Sequence, residues 1–256
     1  MGRPRILILG GTSEARLLAE ALAARDDCDV LLSLAGRTEK PAVQPVPVRI
    51  GGFGGAAALA YFLKAGGYGL LIDATHPFAE RISANAAFAA ETTGIAAIAL
   101  RRPEWQRLRG DRWRDVQNIS AAIEALGPSP RHVFLATGRQ GAHHAEAAPQ
   151  HHYLVRSVDP VEPPLALDNV DYVLDRGPFT LEGERDLLRQ HHIDVIVAKN
   201  SGGAATYAKI EAAGLLGIEV MMVARAPAPI VKAVDTVEAA LAVIDHLFPP
   251  AMKRGV

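Results

Sequence analysis

The sequence contains few of the residues on which specialised folds depend. Among its 256 residues there is one cysteine, Cys28, so an intramolecular disulfide, a thiol redox pair and a cysteine-rich zinc site are excluded. This composition fits a reducing cytoplasm best. Aromatic residues make up 5% of the chain, and the formal net charge of -1 gives no broad basic field, so nucleic acid is not expected as a partner.

Long apolar runs are also missing. Even the stretch 56–74 is interrupted by Lys64 and three glycines, whereas a membrane span needs about 18 apolar residues in a row. The apolar run at 6–9 is too short for a signal peptide. We therefore expect a soluble chain with no membrane partner. The 49% hydrophobic and 21% charged residues are typical of a globular protein and exclude intrinsic disorder.

Short apolar runs alternate with stretches rich in alanine and leucine, which predicts an α/β fold with mostly parallel sheets. The predicted strands are 5–9, 29–34, 69–73, 95–100, 132–136, 152–156, 172–175, 194–198 and 219–223, with a weak extended piece near 46–50. The predicted helices lie near 13–25, 55–65, 78–93, 181–191, 204–213 and 237–247.

The two halves of the sequence resemble each other in four landmarks that occur in the same order. ILILG at 6–10 matches VFLAT at 133–137, Phe53 matches Phe179, LLIDATHP matches VIVAKNSG, and Gly94 matches Gly217, at separations of 123 to 127 residues. This repeat predicts two similar Rossmann-like lobes. We place the first at 1–120 and the second at 121–256, with the boundary in the polar stretch 109–131.

The turn after the first strand has the composition of a phosphate-binding turn. Gly10 and Gly11 would let the backbone approach phosphate oxygens, while Thr12 and Ser13 would supply hydroxyl contacts at the start of the next helix. The turn departs from the G-x-G-x-x-G pattern. The alternative is that Thr12 or Ser13 only caps the helix.

The end of the second strand indicates which dinucleotide would fit. It lacks the carboxylate that binds the ribose of NAD, and it offers Ser33, Gly36 and Arg37 instead. A hydroxyl and a guanidinium suit the 2'-phosphate of NADP. In the alternative, Arg37 is a solvated cation.

Further polar residues follow other predicted strands, where ligands bind in open α/β sheets. Thr75 and His76 follow the strand 69–73, and His76 is expected either to act on the cofactor as a donor or acid, or to hold the turn through its own backbone. In the second half, the corresponding residues are Arg139, Arg176, Lys199, Asn200 and Ser201. Three cations at the carboxyl ends of strands in one sheet predict an anionic ligand. The alternative for each of them taken alone is a surface ion pair with a nearby carboxylate.

Two other features were weighed. The paired histidines at 143–144, 151–152 and 191–192 lack the spacing of a metal site, so no metal is expected. Trp105 and Trp113 lie in a basic stretch that resembles a patch for single-stranded nucleic acid, but a linker with packed tryptophans is favoured.

Eight motifs occur in order along nearly the whole chain: ILILGGTSEAR, SLAGR, GGFGG, LIDATHPFA, RPEW, ATGRQ, RGPF and AKNSGG. Together they resemble the precorrin-6A reductase family of cobalamin biosynthesis. The resemblance implies NADPH-dependent reduction of precorrin-6A to precorrin-6B, by hydride addition to one ring carbon and protonation of its neighbour. It also implies two Rossmann-like lobes, with cofactor and polycarboxylate tetrapyrrole in the cleft between them.

The catalytic candidates are His76, Glu14 and Lys199, with a bound water as an alternative proton donor. Handover of the product to neighbouring pathway enzymes is a further expectation. Two other functions are compatible with the residues alone. One is a two-lobe protein that binds a nucleotide or anion without turning it over, and the other is a nucleotide-sugar transferase.

Overall fold

The computed structural model describes residues 3–36, 43–229 and 231–249. The chain forms two compact units: the first lobe comprises Met1–Pro103 with Ala226–Val256, and the second lobe comprises Glu104–Arg225. Each lobe contains one six-stranded sheet, and all the described strand pairs are parallel. The predicted α/β class with two Rossmann-like lobes is confirmed.

The elements follow one another along the chain in alternation. The strands are β1 (Arg5–Leu9), β2 (Asp29–Leu34), β3 (Val48–Ile50), β4 (Tyr68–Asp73), β5 (Ala96–Leu100), β6 (Trp113–Val116), β7 (His132–Ala136), β8 (His152–Ser157), β9 (Val170–Leu174), β10 (Val195–Lys199), β11 (Glu219–Val223) and β12 (Lys232–Val234). The helices are α1 (Ser13–Ala23), α2 (Ala56–Ala65), α3 (Glu80–Thr93), α4 (Ile119–Glu124), α5 (Arg139–Ala142), α6 (Leu181–Gln190), α7 (Ala208–Leu216) and α8 (Val237–Leu247), with 3₁₀ turns at His143–Ala147 and Ala204–Thr206.

The two sheets share one strand order, with their outer strands exchanged. The orders are β12-β5-β4-β1-β2-β3 and β6-β11-β10-β7-β8-β9. Along the chain β6 follows β5 but pairs with β11, and β12 follows β11 but pairs with β5. When the exchanged outer strand is counted sixth, so that β7 to β11 are strands one to five of the second lobe, both sheets have the order 3-2-1-4-5-6 of dinucleotide-binding folds. The sixth strand of each lobe is supplied by the other half of the chain. The units therefore differ from the expected ranges 1–120 and 121–256, because pairing assigns 104–120 to the second lobe and 226–256 to the first.

Every strand of the sequence-based assignment is present, with bounds within two residues of the expected ones. The stretch 109–131, where the boundary between the lobes was expected, contains β6 and α4. Trp113 begins β6, whereas Trp105 is packed as expected, with 8% of its surface exposed. The expected helix 204–213 is a 3₁₀ turn followed by α7. In the described part of the chain, no helix is both long and apolar enough to cross a bilayer.

Layers of helices cover both faces of the first sheet. Successive side chains of a strand point to opposite faces, so Ile6 and Ile8 pack with α1 and α8, while Leu7 and Leu9 pack with α2 and α3. All four side chains are almost fully buried. In the second lobe, Phe134 and Ile196 pack against α6 and α7 in the same way. These two cores hold the carboxyl ends of the strands, and the turns that follow them, in place.

His151 gives the second lobe a dependence on pH. It is 1% exposed, and its Nδ1 has no hydrogen-bond partner among the described residues. Burial, and then the charge of Arg131, lower the pKa of the imidazole below its usual range. The unfolded chain therefore takes up the proton at a higher pH than the folded chain does, and stability falls as the pH drops below about 6.5.

We accordingly expect a His151→Leu variant to lose less stability than the parent between about pH 7.5 and 5.5. Urea unfolding at several pH values measures this. The exposed His246 offers a control, because His246→Gln should keep the pH dependence of the parent. Equal pH dependence in parent and His151→Leu would contradict the assignment.

Candidate functional site

The predicted site residues lie on turns at the carboxyl ends of the strands. In each sheet the strand order reverses beside the first strand of the lobe, between β1 and β4 and between β7 and β10. Open α/β sheets bind ligands at such switch points. Gly10 to Ser13 follow β1, Thr75 and His76 follow β4, Arg139 follows β7, Arg176 follows β9, Lys199 ends β10, and Asn200 and Ser201 come next. Arg37 lies outside the described residues.

The two glycines of the first turn have different physical roles. A Cβ on Gly10 would lie 2.6 Å from Cδ1 of Leu32, so packing within the sheet requires this glycine. Gly11 has a φ of 122°, and apart from its chain neighbours no atom of the described residues lies within 4 Å of the place where its Cβ would be. The backbone at Gly11 is therefore open to a ligand, whereas substitution of Gly10 would disturb the fold itself.

Thr12 joins the two turns at the switch point of the first lobe. Its Oγ1 accepts a hydrogen bond from the Ala15 N–H at 3.1 Å, which caps α1, and donates to the Ala74 carbonyl at 2.8 Å. The capping alternative is therefore confirmed for Thr12. The neighbouring Ser13 is exposed, and its hydroxyl donates to the Glu14 carboxylate at 3.1 Å.

Asp73 organises the turn after β4 and was missed at the sequence level. Its carboxylate accepts hydrogen bonds from the Thr75 N–H at 3.1 Å and the Thr75 hydroxyl at 2.6 Å, and it forms an ion pair with Arg101 at 3.0 Å. Asp73 is 6% exposed. A carboxylate directly at the end of a buried strand was the available signal. The Thr75 hydroxyl is thus held by Asp73.

His76 holds its own turn, as one of the two alternatives proposed. Its Nδ1 accepts a hydrogen bond from the Phe78 N–H at 3.3 Å, and the two rings lie 5.8 Å apart. In the neutral ring, acceptance at Nδ1 places the proton on Nε2. The half-buried imidazole can therefore act as a donor through Nε2 while Nδ1 fixes its orientation.

Glu14 is paired with a cation within the first lobe. Its carboxylate lies 2.9 Å from Nη1 of Arg102, and both side chains are mostly buried. On the neighbouring turn, Ser33 is buried and its carbonyl accepts from the Gly10 N–H at 2.9 Å. Gly36 has a φ of 71°, and a Cβ there would lie 3.2 Å from Ile50.

Lys199 joins the corresponding turns of the second lobe. Its Nζ donates to the Thr137 carbonyl at 3.0 Å, so the turn after β10 is tied to the turn that carries Arg139. The first lobe makes the equivalent connection with the Thr12 hydroxyl. Arg139 is half-buried at the start of α5, and Arg176 is exposed. The three cations thus lie at the carboxyl ends of three different strands of the same sheet.

The side chain of Asn200 is hydrogen-bonded to the backbone of Trp105. Its side-chain oxygen accepts from the Trp105 N–H at 2.8 Å, and its amide donates to the Trp105 carbonyl at 3.2 Å. The Trp105 indole donates to the Gly203 carbonyl at 3.0 Å. With 8% of its surface exposed, Asn200 anchors the segment before β6. Ser201 is also buried.

An aromatic groove of about 570 Å³ lies beside the second-lobe turns and was not anticipated. Trp105, Phe179 and Tyr207 line it, together with the carboxylates of Glu104 and Glu211. The residues come from three separate segments, so no local pattern in the sequence marks them.

The fold and these turns define a two-lobe α/β protein with the Rossmann topology found in dinucleotide-binding enzymes. The chain belongs to the precorrin-6x reductase CbiJ/CobK family, whose model matches residues 5–245. This confirms the resemblance drawn from the motifs.

Several relatives match along almost their whole length. The precorrin-6A reductase of a Sinorhizobium species is 58% identical over 98% of this chain and 96% of its own. That of Rhodobacter capsulatus is 47% identical over 98% and 99%. A solved structure of CobK precorrin-6A reductase superposes with a TM-score of 0.92 at 46% identity, covering 99% of this chain and all of the other. The cobalt-precorrin-6A reductase of Priestia megaterium is 30% identical over 86% of this chain.

Proposed function

We propose that this protein reduces precorrin-6A to precorrin-6B in cobalamin biosynthesis, with NADPH as the hydride donor. The observation that carries the proposal is the similarity to precorrin-6A reductases along nearly the whole chain. The relatives named for the metal-free substrate are more similar than those named for the cobalt form, which favours the metal-free macrocycle. The single cysteine agrees with a reducing cytoplasm, where product would pass to neighbouring pathway enzymes.

The first lobe would hold the cofactor. Bound NADPH supplies the hydride. The open backbone at Gly11 and the start of α1 fit a pyrophosphate, because helix N-terminal amides attract anions. Gly10, Thr12 and Ser13 complete this turn, with Thr12 acting mainly as its cap. Ser33, Gly36 and Arg37 would receive the ribose phosphate, and Thr75 and His76 would lie on the other side of the switch point.

His76 is the best candidate for the proton donor among the named residues. Its Nδ1 hydrogen bond leaves the proton on Nε2, and the ring lies at the switch point of the cofactor lobe. Glu14 is held in an ion pair with Arg102, so it would orient that guanidinium more readily than deliver a proton. Lys199 belongs to the other sheet, where it would contact substrate.

The second lobe would bind the carboxylates of the macrocycle. Arg139, Arg176 and Lys199 provide positive charge on three turns, and Ser201 adds a hydroxyl. Charge-assisted hydrogen bonds to carboxylates are the strongest available to side chains. Asn200 supports the turn through Trp105.

The direct test combines purified protein, NADPH and precorrin-6A under anaerobic conditions. Loss of NADPH absorbance together with a product heavier by two hydrogens supports the proposal. The cobalt-containing substrate should react more slowly. NADPH binding without turnover would favour the binding-protein alternative, and binding of a nucleotide sugar with indifference to NADPH would favour the transferase.

Arg37 tests the choice of cofactor. If its guanidinium holds the 2'-phosphate, Arg37→Ala should weaken NADPH binding by about 1.5–3 kcal/mol, or roughly 10- to 150-fold, and change NADH binding little. Titration of both dinucleotides by fluorescence measures the two affinities. An equal loss for both would remove Arg37 from the phosphate site.

Lys199 tests the substrate site. Lys199→Ala should raise the KM for the macrocycle by about tenfold, since a charge-assisted contact is worth somewhat more than 1 kcal/mol, and leave NADPH binding nearly constant. The KM should also rise steeply with salt. The exposed Lys64 of α2 is the matched control, and Lys64→Ala should change neither value. Weaker NADPH binding with an unchanged KM for the macrocycle would reassign Lys199 to the cofactor.

A further inference from the structure

We propose that Arg49 and Arg156 are positioning residues, each of which fixes the ligand-binding turn after the third strand of its lobe by stacking on a phenylalanine. The Arg49 turn would serve the cofactor, and the Arg156 turn would serve the macrocycle. This inference rests on the proposed function of the two lobes.

In the first lobe, Arg49 holds the turn GGFGG that follows β3. Its guanidinium donates to the carbonyls of Gly51 and Gly52, the second at 2.8 Å. Its Cζ lies 4.0 Å from the centre of the Phe53 ring, which meets Phe62 edge-on at 5.1 Å. One side chain therefore fixes both the backbone and the ring of this turn.

This turn adjoins the predicted ribose-binding turn. The Gly51 N–H donates to the Leu34 carbonyl at 2.9 Å, and Gly36 approaches Ile50 so closely that a Cβ would lie 3.2 Å from it. The end of the second strand is where dinucleotide-binding folds receive the ribose. A shift of the GGFGG turn would therefore displace the segment 33–36.

In the second lobe, Arg156 lies between two rings. Its Cζ is 3.8 Å from the centre of the Phe179 ring and 4.8 Å from that of Phe134. The guanidinium also forms a bidentate ion pair with Glu184, and both residues are buried, at 8% and 2% exposed. The ion pair orients the plane of the guanidinium against Phe179.

The Phe179 turn supports two of the three cations. The Phe179 N–H donates to the Ala205 carbonyl at 3.0 Å, and a Cβ on Gly177 would lie 2.9 Å from that same oxygen. The turn that bears Arg176 is thus packed on the segment that follows Lys199. Loss of the stacking between Arg156 and Phe179 would therefore loosen both the turn that bears Arg176 and the segment that follows Lys199.

The arginine that stacks on the phenylalanine lies on a different strand in each lobe. Phe53 and Phe179 are matching landmarks of the repeat, but Arg49 comes from the third strand of its lobe and Arg156 from the second. The shared feature is the stack itself. A buried ion pair adds little stability compared with apolar residues of the same volume, so orientation of the turn explains the Arg156 arrangement better than stability does.

The test measures the KM for NADPH and the KM for precorrin-6A in one variant of each lobe. Arg49→Met should raise the KM for NADPH about 5- to 20-fold and leave the KM for precorrin-6A and kcat within about twofold. Arg156→Met combined with Glu184→Leu, which leaves no unpaired buried charge, should do the reverse. Arg131→Met is the control. It removes an ion pair of the second lobe with Glu219, which lies at the start of β11, and it should change neither KM. Phe179→Leu keeps the Arg156 ion pair and should reproduce the second effect if the double variant folds poorly.

The results separate the inference from the proposed function. Both KM values unchanged in an active enzyme, or both raised equally, would refute the positioning roles. If the parent protein does not reduce precorrin-6A, the proposed function fails. Direct NADPH titration of Arg49→Met then decides the first-lobe part, since unchanged affinity refutes it and a loss supports it.

Discussion

The Glu184→Ala variant is expected to lower the free energy of unfolding of the second lobe by about 3–5 kcal/mol, because it leaves the Arg156 guanidinium buried without its counter-charge. Glu184 is 2% exposed, so bulk solvent does not screen the guanidinium that the substitution leaves without its partner. Chemical denaturation followed by amide hydrogen exchange assigns the loss to this lobe.

Glu219→Ala is the matched comparison, since it breaks a more exposed ion pair with Arg131 at 3.0 Å in the same lobe. It should lower stability by about 0–1 kcal/mol. The double variant Arg156→Met with Glu184→Leu should regain most of the loss, since apolar residues of similar volume replace buried ion pairs at little cost. Equal effects of Glu184→Ala and Glu219→Ala would show that the Arg156 pair is solvated.

A chain that ends at residue 225 is expected to lack a stable first lobe. It loses β12, which pairs with β5, and α8, whose Ala240 and Ile244 are fully buried in the core of that lobe. Val237, Leu241 and Phe248 pack against the same core. A buried side chain of this size contributes about 1.5–3 kcal/mol, so losing several removes most of the 5–15 kcal/mol that is typical of a whole domain.

Hydrogen exchange measured by mass spectrometry checks this lobe by lobe. In the chain ending at 225, amides of β1, β2 and β4 should exchange rapidly, while those of β7, β8 and β10 stay protected, because all six strands of the second sheet are present. A chain that ends at 249 retains α8 and should behave as the full chain does. Protection of β1 in the shorter chain would mean that the exchanged strand is dispensable.

The strands of both cores could be predicted because their sequences alone determine them. ILIL at 6–9 and VIVA at 195–198 are apolar runs between turn residues, and such runs are buried in any α/β sheet. The strands β6 and β12 could not. WRDV and KAV are short and partly polar, so they become strands only through the partners β11 and β5, which lie far away in the chain.

The site was predicted as a set of turns but not as a set of contacts. Glycines and cations after apolar strands identified the turns of both lobes. Asp73 and Arg156 were missed because their roles depend on partners that the chain brings together only in three dimensions, Arg101 for one and Glu184 for the other. The contact of Asn200 was missed for the same reason, because its side chain holds the backbone of Trp105, which lies far away in the sequence.

The exchange of outer strands reverses the order in which the lobes can be completed as the chain leaves the ribosome. The second lobe has all six of its strands once residue 225 has emerged, whereas the first lobe waits for β12 and α8, which follow later in the chain. Until then β5, with the apolar sequence AAIAL, forms an unpaired sheet edge. Such edges pair readily with other chains. The nascent protein is therefore most prone to aggregation before β12 has emerged and paired with β5.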